Sequence, residues 1–179
     1  CFDDTFETNG EESNNRWHSN IVEDSRVAIR VKAPRLGPMY VYRNIFVNNR
    51  EDIRFFGEEP QRPAHVYVYH NTSTADAAIG SHRLTGVGTP NYHVYNNLFW
   101  CAIAQSVYES SASPNWTSDY NVYVNNEAWE GDWWSDAKKA VIDRGQDEHG
   151  HWVDSGAPGF ADFTSTDLSL MLSSSARDR

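Results

Sequence analysis

Apolar and polar residues alternate along this chain in short runs. Met39-Tyr40-Val41-Tyr42, His65-Val66-Tyr67-Val68-Tyr69 and Tyr92-His93-Val94-Tyr95 have the period of two that a half-buried strand requires. Each run stops at an asparagine, and a second strand-like run then begins, as in Ile45-Phe46-Val47 and Val122-Tyr123-Val124. A third run follows in Ala28-Ile29-Arg30-Val31, Ile53-Arg54-Phe55-Phe56 and Ala78-Ile79-Gly80-Ser81. The interrupting asparagines are Asn20, Asn44, Asn71, Asn97 and Asn121, at spacings of 24, 27, 26 and 24 residues. A repeat of this length made of three short strands predicts an all-β solenoid, a single-stranded parallel β-helix of about five coils. At a sharp corner between strands an asparagine tolerates a left-handed backbone, and its amide reaches the asparagine of the next coil. The pattern therefore predicts a buried asparagine ladder.

On these residues the chain resembles the right-handed parallel β-helix superfamily, which includes pectate-lyase-like and related polysaccharide-active proteins. The resemblance covers residues 1–126, read as the coils. Residues 127–179 read as the cover of the last coil and a C-terminal cap within the same domain. There, Gly145-Gln146-Asp147-Glu148-His149, Pro158-Gly159-Phe160, Asp167-Leu168-Ser169-Leu170 and Ser175-Ala176 resemble the closing segment of secreted bacterial β-helix repeat proteins. Ala157 stands where that family usually has Asp, and Ser175-Ala176 where Ser-Pro-Ala is common. An open solenoid end exposes unpaired strand edges and needs a cover. Ser135 to Ile142 reads as a short capping helix with Ser135 as its N-cap. Patterned structure begins at once at Cys1, so further coils are expected upstream. The resemblance implies a secreted or periplasmic setting.

Charge narrows the partners. With 25 acidic and 15 basic residues the net charge is −10, which disfavours nucleic acid and anionic lipid. No apolar run has the roughly 18 residues a membrane span needs. Cys1 and Cys101 fall about four coils apart, on the order of 19 Å at one strand spacing per coil. A disulfide needs Cα atoms within about 7 Å, so both are expected to be unpaired.

A parallel β-helix has no built-in cleft, so a site must form on one outer face from side chains of successive coils. On the third strand Ile29, Val31, Ile53 and Phe55 are expected to point inward, and Arg30, Lys32, Arg54 and Phe56 outward. Extending this register gives an exposed column of Glu7, Arg30 or Lys32, Arg54 and His82. Such a basic stripe on an acidic protein suits an acidic polysaccharide, because guanidinium groups pair with carboxylates in two-pronged fashion. Phe56 and Tyr108 would stack on sugar rings. For a lyase, β-elimination from a uronic acid needs carboxylate neutralisation, a base and an acid. Arg54 or Arg30 would neutralise, and Lys32 or His82 would serve as base. The family resemblance adds an acidic calcium site, for which Asp3, Asp4 and Glu7 have the right oxygen chemistry. One alternative is a non-catalytic glycan-binding or surface structural module. Another is a glycoside hydrolase using paired carboxylates among Asp3, Asp4 and Glu7, or Glu23, Asp24, Glu51 and Asp52. Asp147, His149, His151 and Asp154 have metal-like composition but no zinc spacing, and read as capping loop.

Overall fold

Alternation on the first strand of each repeat is realised as a wall with one apolar and one polar face. The computed structural model of the protein describes residues 4–8, 13–32, 37–56, 65–74, 91–100, 116–125, 133–154, 160–162 and 167–170. Strands are numbered in chain order. Strands β2 (Arg16–His18), β5 (Met39–Tyr42), β8 (His65–Tyr69), β10 (Asn91–Tyr95) and β12 (Trp116–Asp119) form a five-stranded parallel sheet. Its inward file Trp17, Val41, Val68, Val94, Ser118 is in exact register, one residue per coil. The three valines of that file are essentially sealed from water, and each such burial contributes about 1.5–3 kcal/mol.

The second side is a six-stranded parallel sheet of β3 (Ile21–Glu23), β6 (Ile45–Val47), β9 (Thr72–Thr74), β11 (Leu98–Trp100), β13 (Val122–Val124) and β14 (His151–Val153). On the third side β1 (Asp4–Glu7), β4 (Val27–Lys32) and β7 (Ile53–Phe56) pair in parallel. The chain is thus an all-β parallel β-solenoid. About three turns have all three sides described, against the five expected, while the other two sheets continue past them.

The ladder is present and continuous. Each side-chain amide donates to the oxygen of the next: Asn20 to Asn44 at 2.9 Å, Asn44 to Asn71, Asn71 to Asn97 and Asn97 to Asn121 at 3.0 Å each. The second amide proton of Asn44, Asn71, Asn97 and Asn121 goes to a main-chain carbonyl of Trp17, Val41, Val68 and Val94. Asn71, the first residue of an Asn-X-Ser/Thr sequence, is buried within this ladder. One expectation needs correction, because the left-handed residue at the corner is the one before each ladder asparagine. Ser19, Arg43, His70, Asn96 and Tyr120 have φ of 54–58°. The left-handed residue turns the chain, and the following asparagine is thereby aimed along the solenoid. Asp24 and Asn48 do the same at the next corner, where the Asn49 side chain accepts from the Ser25 amide at 2.9 Å.

Arg43 is exposed, so its backbone demand can be tested alone. A β-branched residue at positive φ is strongly disfavoured, whereas glycine is at ease there. Arg43→Val is expected to cost about 1–2 kcal/mol in urea unfolding and Arg43→Gly to cost nothing or to stabilise slightly. Equal losses in both would place the strain elsewhere.

The last described coil is closed by residues 145–149. Gln146 accepts from the Ser118 amide at 2.8 Å and donates to the Trp116 carbonyl at 3.1 Å, imitating a further strand on the edge of β12. Asp147 ends the ladder by accepting the Asn121 amide at 2.8 Å. Helix α1 runs Trp133–Asp143, so it starts two residues before the expected N-cap Ser135, which lies inside it. Trp134 explains the longer helix. It packs on the core, meets Trp152 edge-on at 5.4 Å, and donates to Asp154 at 3.0 Å. Val141 is fully buried from the same helix. Strands β15 (Phe160–Asp162) and β16 (Asp167–Leu170) form an antiparallel pair. Among the described residues no helix is long and apolar enough to cross a membrane.

Candidate functional site

The expected third-side column is in register as far as it is described. Glu7 lies opposite Arg30 and Arg30 opposite Arg54, while Lys32 lies opposite Phe56. Ile29, Val31 and Ile53 are buried, Glu7 is exposed and Arg30 and Arg54 are half-buried. Arg54 pairs with the buried Glu51 at 3.4 Å. Glu51 and its neighbour Asp52 sit inside the corner, where Asp52 accepts from Asn49 at 3.1 Å and from the Ser73 hydroxyl. Buried carboxylates with these partners hold the turn together and do not present a pair to a sugar. His82, Tyr108, Asp3, Cys1 and Cys101 lie outside the described residues, as do the side chains of Lys32, Phe56 and Asp4. Among the described residues no three His, Cys, Asp or Glu side chains are gathered as a metal site. In the closing loop Asp147 belongs to the ladder, His149 to Asp119, and Asp154 to Trp134 and Lys138.

A more extended constellation lies on the outer face of the five-stranded sheet. Two files run along the solenoid in register: Arg16, Tyr40, Tyr67, His93, Thr117, and beside it His18, Tyr42, Tyr69, Tyr95, Asp119. Their rings stack from coil to coil. Centroid distances are 5.4 Å for Tyr40 and Tyr67, 4.6 Å for Tyr67 and His93, 4.8 Å for His18 and Tyr42, and 5.1 Å for Tyr42 and Tyr69. The Arg16 guanidinium caps the first file over Tyr40 at 5.6 Å, a cation–π contact. Asp119 is the one carboxylate within these five strands. Burial, then the neighbours Tyr42 and Tyr40, push the Tyr69 phenol up, and Arg16 and Arg43 pull it back. A protein of net charge −10 thus carries a face dominated by phenols, imidazoles and two guanidinium groups.

His93, Thr117 and Tyr95 of these files form one linked network with His65. His65 Nδ1 and His93 Nε2 are 2.9 Å apart, His93 Nδ1 and Thr117 Oγ1 2.9 Å, and the Tyr95 hydroxyl donates to Thr117 Oγ1 at 3.0 Å. Burial first, and then His65, hold the His93 imidazole below its ordinary value. At the far end the His149 ring lies 2.8 Å from Asp119 and stacks on Tyr120 at 4.8 Å. The hydrogen bond and the charge of Asp119 raise His149. Partial burial pushes Asp119 up, but bonds from the His149 ring and amide and from the Tyr120 amide outweigh it and leave the carboxyl lowered.

The signs give a measurable order. His149, raised, contributes to stability below the ordinary histidine value and loses that contribution as pH rises through its own value. Asp119, lowered, contributes above the ordinary carboxylate value and loses it as pH falls through its depressed value. In an NMR titration His149 is expected to titrate above free histidine and His93 below it. The reverse order would refute both environments.

The alternation Tyr-X-Tyr, His-X-Tyr-X-Tyr and His-X-Tyr in successive first strands was the visible signal for this face, although it points only to strands until the coils are stacked. Comparison with protein-family models, with curated proteins and with solved structures finds no match.

Proposed function

We propose that this protein is a polysaccharide-active β-helix protein of the pectate-lyase-like kind, working outside the cell on an acidic glycan by β-elimination. One observation carries the reading: the in-register strip of tyrosine, histidine and arginine on the outer face of the five-stranded sheet. Stacked rings present mainly their edges to solvent, so the strip offers hydroxyls and ring nitrogens at one set per coil. Sugar hydroxyls and carboxylates need such donors and acceptors. Arg16 and Arg43 supply positive charge to it, and Arg30 and Arg54 on the third side would hold carboxylates of the same chain. Calcium at Asp3, Asp4 and Glu7 belongs to the same proposal. The second reading, a glycan-binding module without turnover, is favoured by the Arg54–Glu51 pair, which gives Arg54 a structural occupation.

The test is retention on immobilised alginate, pectate and glycosaminoglycan, together with ultraviolet detection of unsaturated products, each with and without calcium. Retention with unsaturated product is the expected result. Retention without product would establish the binding module, and no retention on any glycan would sink both readings. Tyr40→Ala with Tyr67→Ala is expected to weaken retention by about 1–3 kcal/mol, in the range of interface aromatics.

A further inference from the structure

The hydrogen bonds around His93 fix where its protons are. Thr117 Oγ1 lies 3.1 Å from the Tyr92 carbonyl, which only accepts, so the threonine's single proton goes there. Thr117 Oγ1 therefore accepts from both the Tyr95 hydroxyl and His93 Nδ1. With its proton on Nδ1, neutral His93 presents a lone pair at Nε2. His65 must then donate from Nδ1 across the 2.9 Å contact. The two rings are inclined by only 8°, and their centroids, 5.2 Å apart, exceed the 2.9 Å nitrogen separation by about two ring radii, as they do when both nitrogens lie on the line between centroids. They meet edge to edge, as a true in-plane hydrogen bond does, with the His65 Nδ1 proton aimed at the His93 Nε2 lone pair. The consequence falls on the exposed end of the chain. His65 Nε2 carries a lone pair, on an exposed residue oriented through three partners behind it.

We propose that His65 Nε2 is the proton acceptor of a general-base site on this face, with His93 as the positioning residue that sets its tautomer. The proposal rests on the polysaccharide reading and assigns it a base. Around His65 stand Tyr67 on its own strand, 6.1 Å ring to ring, with His93 and the outward-facing Asn91 on β10. Asn91 lies directly opposite His65 in register. A uronate bound here would place its carboxylate on the Asn91 amide, which stabilises the charge that develops as the adjacent C5 proton leaves. That proton passes to His65 Nε2, and the C–H electron pair becomes the C4–C5 double bond as the C4–O bond breaks. The departing oxygen takes the Tyr67 phenolic proton, and the charged histidine pair returns a proton to the phenolate. No oxidant or further reactant is required.

Two independent readouts test this. In nitrogen-15 spectra of the intact protein, neutral His65 and His93 are both expected as Nδ1–H tautomers, the minor form of free histidine. An Nε2–H tautomer for His65 would overturn the proposal without any assay. On whichever uronate polymer is turned over, His65→Gln is expected to lower kcat by about 100-fold or more while changing glycan retention by less than roughly twofold. His93→Leu is expected to release the His65 tautomer and lower kcat, and His93→Gln to restore both, since its side-chain oxygen can accept from His65. Near-wild-type turnover in His65→Gln would overturn the base. Glycan retention with no turnover in the wild type would also overturn it while leaving binding intact, and loss of retention would fail the reading beneath it.

Discussion

Asn71→Ala is expected to remove about 3–5 kcal/mol of stability, a large part of the 5–15 kcal/mol typical of a folded domain. The side chain is buried and makes its full complement of bonds. Its oxygen accepts from the Asn44 main-chain and side-chain nitrogens at 3.0 Å each, and its amide donates to Val41 at 2.9 Å and Asn97 at 3.0 Å. Truncation strips a partner from groups above and below at once, and a buried polar group left without one costs about 1–3 kcal/mol. Asn20→Ala is the control. Asn20 is half-buried and, among the described residues, bonds within the ladder only to Asn44, so its loss is expected to be about 1 kcal/mol. Urea unfolding of both variants measures the difference through the midpoint at constant slope. Equal and small losses would mean that water substitutes freely inside the stack.

The second large effect is a change of pH dependence in Asp147→Asn. Burial raises the Asp147 carboxyl, while bonds from Ser118, Tyr123 and Asn121 oppose the rise without cancelling it. A carboxyl raised in the folded state gives its full stabilisation below the ordinary carboxylate value and loses it as pH climbs through the raised folded value. Asparagine at this position keeps an oxygen for Asn121 and accepts the left-handed φ of 48°. It gives up the acceptor that Tyr123 uses at 2.8 Å, a fixed cost at every pH. The variant is therefore expected to gain on the wild type as pH rises, in melting temperature by a few degrees, each 2–4 °C corresponding to about 1 kcal/mol at this chain length. Parallel curves from acid to neutral pH would show that the buried charge is not the source.

The solenoid was legible because its two strongest signals, asparagine spacing and strand alternation, are each properties of one coil repeated. Asn44, Asn71 and Asn97 stand in line since their spacing matches the strand register. The left-handed corners were assigned one residue late for a physical reason. Ser19, Arg43, His70, Asn96 and Tyr120 share a backbone angle but no side-chain chemistry, so nothing in composition marks them. Helix α1 outran its polar cap because Trp134 gains packing that local propensity does not measure. The Glu7, Arg30, Arg54 register followed from alternation alone. The tyrosine and histidine strip did not, because its members are unremarkable singly and acquire meaning when five strands set them side by side. The His65–His93 contact is diagonal, between residues that are not register partners, which no periodicity exposes.

Every rung of the ladder donates in the same sense, from Asn20 toward the closing loop. Aligned amides add as dipoles, and the positive end of this column meets an acid, as a carboxylate meets the start of a helix. The stack is consequently a one-way polymer with an acceptor-only terminator. A designed extra coil with its own asparagine can be spliced anywhere before Asp147 and pass the donation on. Placed after it, the same coil would find a rung with nothing to give.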